Sequence, residues 1–223
     1  MRRSSVKKIA MMAAMAVGLG MAAAGANAGT VDFTKSHGES QAGSFTFTGD
    51  DGVQVTATAS STWDSFFSGY PKVNWDNGGL GVKSDWLDIE QIDDLLKQET
   101  LNLHFDTQVM IHSITFSNVD YHVLTGKDDS FTLTIDGNFA RSGEIPGGTF
   151  LAGDHTTGTV AFSGLGYHDS FGLGATDCIN GYKVKSIEYC AIPLPAAAWS
   201  GLSGLGLIAA AGARKKLRGL LSA

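Results

Sequence analysis

The stretch Ser44–Ser60, SFTFTGDDGVQVTATAS, decides the fold class. Phe45 and Phe47 share one face of an alternating run, and Val53 and Val55 share one face of the next. Successive side chains of a strand point to opposite faces, so each run has an apolar and a polar side. Gly49-Asp50-Asp51-Gly52 lies between them and supplies residues that tolerate a reversed backbone. The two runs read as a β-hairpin.

The same alternation recurs along the chain. ETLNLHFD sets Leu101, Leu103 and Phe105 against polar partners. FTLTIDGNFA repeats it with Phe131, Leu133 and Ile135 and closes on the turn pair Asp136-Gly137. GTVAFSG and YKVKSIEYC supply further strands. In QVMIHSITFSN, Val109 and Ile111 share a face, but Ile114 and Phe116 share the other. Tyr182 and Val184 likewise fall out of step with Ile187 and Tyr189. A β-bulge near His112-Ser113 and another near Ser186 would restore the facing, as would burial of both faces. Many short strands separated by Gly and Asp turns predict an all-β body, a β-sandwich of jelly-roll type. The exception is DWLDIEQIDDLLKQE, Asp85–Glu99, where Leu87, Ile92, Leu95 and Leu96 allow a short helix or helical turn.

The two ends differ from this body. Residues 1–28 read as a signal peptide with a signal helix. Arg2, Arg3, Lys7 and Lys8 precede an apolar run, and Ala26 and Ala28 flank Asn27 at the cleavage position. The body then spans 29–191, and a C-terminal segment spans 192–223. Ile192-Pro193-Leu194-Pro195-Ala196 opens that segment. Residues 196–213 carry no charge, which is long enough for a short transmembrane helix. The basic residues Arg214, Lys215, Lys216 and Arg218 then stop the span on the cytoplasmic side, within a tail of 214–223. The chain has 16 Lys and Arg against 22 Asp and Glu. With the basic residues of the two ends set aside, 8 basic face 22 acidic residues, a body charge of −14. Such a body repels nucleic acid, whose phosphates require a positive face.

Motif, span and basic cluster together resemble the VPLPA variant of the PEP-CTERM sorting signal, with Ile192 in place of Val and LRGLLSA after the cluster. The resemblance implies a membrane-anchored precursor whose tail is removed by an exosortase-like protease after signal peptidase has acted. The product would reach the cell surface or extracellular polysaccharide of a bacterium. The body pattern GGLGV, EQIDD, ETLNLHFD and ITFSNVD is similar to bodies that carry such tags, and implies a β-sandwich without a set activity. Proline lacks an amide donor and restricts the residue before it, so IPLP should stay extended where a protease can grip it.

Candidate chemistry lies in three places. Asp88, Glu90, Asp93, Asp94 and Glu99, with Asp85, form an acidic segment that could supply oxygens to calcium, although the spacing is not that of an EF-hand. A solvated acidic loop is the plainer reading. Trp63, Tyr70, Trp75 and Trp86, with Phe66 and Phe67, crowd one region and could stack on sugar rings or fill the core. Cys178 and Cys190 are the two cysteines of an exported chain, which favours a disulfide. A straight strand over YKVKSIEY opposes it, because its ends lie about 25 Å apart and bridged Cα atoms must lie within about 7 Å. A bridge therefore requires a bend near Ser186; otherwise the thiols stay free or pair with another chain.

His37, His104, His112, His122, His155 and His168 match no metal spacing. His104 is out of phase with Leu103 and Phe105 and should face solvent. No nucleophile elbow or P-loop is present. The expected function is a non-enzymatic structural or adhesive protein. A carbohydrate-binding module with a calcium site is the alternative, and a surface hydrolase using two carboxylates is the third reading.

Overall fold

One strand, β8 (Glu99–Ser117), organises the molecule. Its 19 residues far exceed the usual strand of about five or six. The computed structural model describes residues 28–62, 71–84, 91–93, 98–122, 127–147, 156–176 and 181–192. All lie within one compact unit, Ala28–Ile192. Among the described residues the regular structure is all strand, with no helix.

The strands before β8 are β1 (Ala28–Asp32), β2 (Ser40–Ala42), β3 (Ser44–Thr48), β4 (Gln54–Ser61), β5 (Lys72–Asp76), β6 (Gly79–Lys83) and β7 (Ile92–Asp93). Those after it are β9 (Tyr121–His122), β10 (Lys127–Asp128), β11 (Ser130–Ile135), β12 (Asn138–Glu144), β13 (Thr157–Ala161), β14 (His168–Ala175) and β15 (Gly181–Ala191). All but β9 and β10 join one large sheet, and every pairing is antiparallel. β9 and β10 form a separate two-stranded ribbon.

β8 changes neighbours halfway along. Glu99–Phe105 pairs with β4, and Thr100–His104 pairs with β14 on the other side. Val109–Ser117 pairs with β15, and Ser113–Ser117 with β13, while β14 reaches on to Val109 through His168. The first half is therefore ordered β3-β4-β8-β14-β11-β12. In the second, β13, β8 and β15 lie side by side, and the far edge of β15 takes β7, β6 and β1 in turn. Rings from segments that never pair close the core between the halves. Phe116 of β8 stacks on Phe131 of β11 at 5.7 Å, and Phe131 meets Phe162, just past β13, at 5.8 Å. Both halves contribute to one apolar core.

Alternation decides which side chains enter that core. Leu101, Leu103, Phe105, Phe131 and Leu133 are buried, while His104 is exposed, as their phase requires. The predicted hairpin is present, with Phe47 paired to Val55 across Gly49–Gly52, and the predicted turn at Asp136-Gly137 joins Ile135 to Asn138 in a second one. Asp136 and Gly137 have φ of 51° and 76°, the left-handed pair of a two-residue hairpin turn.

Both predicted bulges occur. Glu188 pairs with Ser113 and Tyr189 with Ile111, so His112 is the extra residue of β8. Val184 pairs with Phe116 and Ser186 with Thr115, so Lys185 is the extra residue of β15. Each inserted residue lets apolar side chains on both sides of it face inward. Ile111 and Ile114 are both buried, as are Val184 and Ile187.

The helical expectation for 85–99 is corrected where residues are described. Ile92 and Asp93 form strand β7 against Tyr182 and Gly181, with Ile92 fully buried. β6 meets β15 through Gly79, whose φ is 124°. A Cβ there would collide with the Val184 carbonyl oxygen, so this close approach needs glycine.

Candidate functional site

The ends of the body meet at one corner. β1 lies antiparallel on β15, with Ala28 opposite Cys190 and Asp32 opposite Ser186. The chain leaves β15 at Ile192, which is 39% exposed and whose amide donates to the Gln108 carbonyl at 3.0 Å. Gln108 is exposed where β8 changes neighbours. The bulge residue His112 sits here too, its Nε2 3.0 Å from the Cys190 Sγ.

The turn at Gly49–Gly52 clamps this corner. Asp50 Oδ1 accepts from the Thr30 amide at 2.7 Å, and the Asp50 amide donates back to the Thr30 carbonyl at 3.1 Å. Asp51 Oδ1 accepts from the Tyr189 hydroxyl at 2.6 Å and from the Val53 amide at 3.1 Å. A Cβ at Gly49 would collide with the Tyr189 hydroxyl, so the turn packs directly on the ring. Burial raises the Tyr189 pKa far above the ordinary phenol value. The hydrogen bond to Asp51 and the charges of Asp51, Asp50 and Asp106 add to that rise.

Ala28, Cys190 and Ile192 come together here. Ala26, the motif residues Pro193, Leu194, Pro195 and Ala196, and the basic Arg214, Lys215, Lys216 and Arg218 lie outside the described residues. So does the expected span at 196–213; no described helix is long and apolar enough to cross a membrane.

The expected disulfide is corrected. Cys190 is a free thiol. β15 stays continuous through Ser186, because the bulge at Lys185 shifts the pairing without turning the strand back. Nine residues separate Gly181 from Cys190, about 30 Å of strand less the small shortening of two bulges. Cys178, outside the described residues, stands three residues before Gly181 and can recover only about 11 Å of that distance. The bridge limit of about 7 Å is not met.

Of the acidic segment, Asp93 and Glu99 are described, and both are buried. The Asp93 amide points to Glu99 Oε2 at 3.4 Å. Asp88, Glu90 and Asp94 lie outside the described residues. Among the described residues, no three His, Cys, Asp or Glu side chains are placed to hold a metal ion. Of the aromatic group, Trp75 is described; Trp63, Tyr70 and Trp86 are not. Trp75 donates its indole N–H to the Phe33 carbonyl at 2.6 Å. Its ring packs edge-on against Phe45 and Phe47 at 5.4 and 5.2 Å, under the Lys35 ammonium. This ring is engaged by the body rather than presented as an open platform.

One feature was missed at the level of sequence. The outward positions of the first half of the sheet are almost all hydroxyl, amide or glycine. Pairing aligns Ser44, Thr58, Asn102, Gly172 and Thr134 in one row across five strands. Thr46, Thr56, His104 and Ser170 form the next. Thr46 and Thr56 share a hydrogen bond at 3.2 Å, and Asn102 donates to Ser60 at 2.9 Å. The signal was the threonine at alternate positions of SFTFT, VTATAS and FTLTI. Threonine favours strands for steric reasons alone, so the letters did not mark a surface.

No protein-family profile matches the chain, and no curated protein matches it. Among solved structures, a GH31 alpha-xylosidase from Xanthomonas citri aligns with 76% of this chain at 8% identity and a TM-score of 0.18. The chain spans 22% of that enzyme's length.

Proposed function

We propose that the protein is an exported surface or extracellular-matrix protein with a structural or adhesive role. It is anchored in the membrane by its C-terminal segment until an exosortase-like protease removes the tail, after signal peptidase has removed residues 1–28. The body is a β-sandwich, a reading supported by the Phe116–Phe131 and Phe131–Phe162 contacts between segments that do not pair. One observation carries the functional reading. The compact unit ends at Ile192, the first residue of the sequence motif, and begins at Ala28, the last residue of the expected signal. A protease acting at the motif would therefore cut beside a finished body and leave its core intact.

Intact mass of the protein recovered from the cell surface tests this. A species beginning at Gly29 and ending near Pro195 or Ala196 is expected. A surface species that keeps Arg214–Ala223 would overturn the sorting reading.

A further inference from the structure

The outward face of the first half-sheet is an uncharged island on an acidic body. Between Thr100 and His104 of β8, and on the aligned positions of β3, β4, β14 and β11, no carboxylate, ammonium or guanidinium points outward. Charge begins at the rim, with Asp106 beside Gln54, Asp136 beside Ser170 and Glu144 on the edge strand β12. The other half differs: it carries Asp32 on β1 and Lys185 and Glu188 on β15.

No side chain rises from the middle of the island. Gly172 occupies an outward position of β14, where a Cβ would collide with Thr134 Oγ1 and lie 3.2 Å from Thr100 Cγ2. Hydroxyls from the neighbouring strands close over β14, so no side chain of that position rises from the surface. Strands stand about 4.8 Å apart; β3, β4 and β11 present a hydroxyl at every second residue here, β8 presents Thr100, Asn102 and His104, and β14 presents Ser170 beside two glycines.

We infer that this face binds a neutral polysaccharide chain. Hydroxyl and amide groups both donate and accept, which matches the hydroxyls of a sugar polymer. Each such bond contributes little, about 1 kcal/mol net, so affinity requires the many registered contacts that a face of aligned rows and a repeating polymer provide. The missing charge argues for a neutral polymer: an acidic polysaccharide gains no cation here, and a basic one gains no carboxylate. The inference deepens the surface-protein reading by naming a partner, and it rests on that reading only for bringing the partner within reach.

The test is depletion of the full chain, held in a detergent without sugar groups, by microcrystalline cellulose and by a soluble neutral β-glucan, with alginate and chitosan as charged comparisons. Binding to the neutral polymers is expected, with little change between low and high salt. Thr58→Lys and Thr46→Lys should each weaken it at least about tenfold, because a cation desolvated against hydroxyls has no partner. Thr159→Lys, on β13 of the other half, should leave it unchanged. All three should keep the wild-type melting temperature within about 2 °C, since exposed substitutions are near neutral. No binding to either neutral polymer, binding to charged polymers alone, or equal loss in Thr58→Lys and Thr159→Lys would each overturn the inference. Intact mass is unaffected by these outcomes, so a failure here and a failure of the sorting reading are told apart.

Discussion

Tyr189 ties distant parts of the chain together. Its ring packs on Phe105, and its hydroxyl reaches Asp51, 138 residues earlier in sequence. Tyr182, also buried, donates to the Gly174 carbonyl at 2.7 Å, and its pKa is raised by burial first and by the Asp129 charge second. Both phenols are therefore held neutral in the folded state beyond the pH at which they ionise in an unfolded chain. Below about pH 10 neither state has lost these protons, and the stabilisation is complete. Above it the unfolded chain ionises first and binds fewer protons, so stability falls as pH rises, by up to about 1.4 kcal/mol per pH unit for each ring. Denaturant melts between pH 8 and 11.5 should show this slope, and the tyrosinate absorbance that Tyr182 and Tyr189 contribute should appear together with unfolding. Tyr189→Phe should lower stability at neutral pH by about 1 kcal/mol through loss of the hydrogen bond, and it should flatten the alkaline slope. A slope equal to wild type would show that Tyr189 is not the group responsible. At this scale the sequence showed Gly49–Gly52 as a turn. It could not show the turn as a clamp, because the groups it holds come from β1 and β15 and leave no local pattern.

At the scale of elements, the bulges at His112 and Lys185 keep β8 and β15 facing the core along their whole length. Without an inserted residue, every side chain beyond it would turn to the opposite face. Deleting His112 should therefore expose Ile111 or Ile114 with all that follows, and abolish a single cooperative unfolding transition. His112→Ala keeps the bulge and loses only the contact with Cys190, so it should cost no more than about 1 kcal/mol. Comparable melts for the two variants would refute the role given to the inserted residue. These bulges were legible because alternation that breaks phase inside an apolar run has few physical explanations. β7 was not legible. Ile92, with the leucines around it, satisfies a helical spacing as well as a strand, and short apolar runs do not separate the two. Its pairing partner, β15, lies far away in sequence. The polar face was legible as letters and invisible as a surface, since only register between strands brings its rows together.

At the scale of the whole molecule, the first and last described strands lie side by side. Ala28 sits opposite Cys190, and Gly29 opposite Tyr189, so the proposed scissile bond between Ala28 and Gly29 lies inside a paired strand. Gly29 is also enclosed, since a Cβ there would lie 2.7 Å from the Asp51 carboxyl carbon and 2.8 Å from the Tyr189 ring. A protease needs an extended backbone free to enter its cleft, which a paired strand does not offer. Opening all of β1 would expose Val31 and the adjoining Phe33, both buried, at about 1.5–3 kcal/mol each. Fraying Ala28 and Gly29 alone costs less, so the folded body should slow cleavage at least about tenfold rather than prevent it. On the proposed reading, signal removal therefore precedes docking of β1, and β1 cannot dock until β15, the last strand described, has emerged. Full-length precursor, folded or held unfolded in mild denaturant, should differ by this factor when exposed to signal peptidase that tolerates the denaturant. Val31→Gly, which weakens the docking of β1, should bring the folded precursor closer to the unfolded rate. Equal cleavage of folded and unfolded wild-type precursor would mean that the bond is open in the finished body, and that the order of maturation is not set by this strand pair.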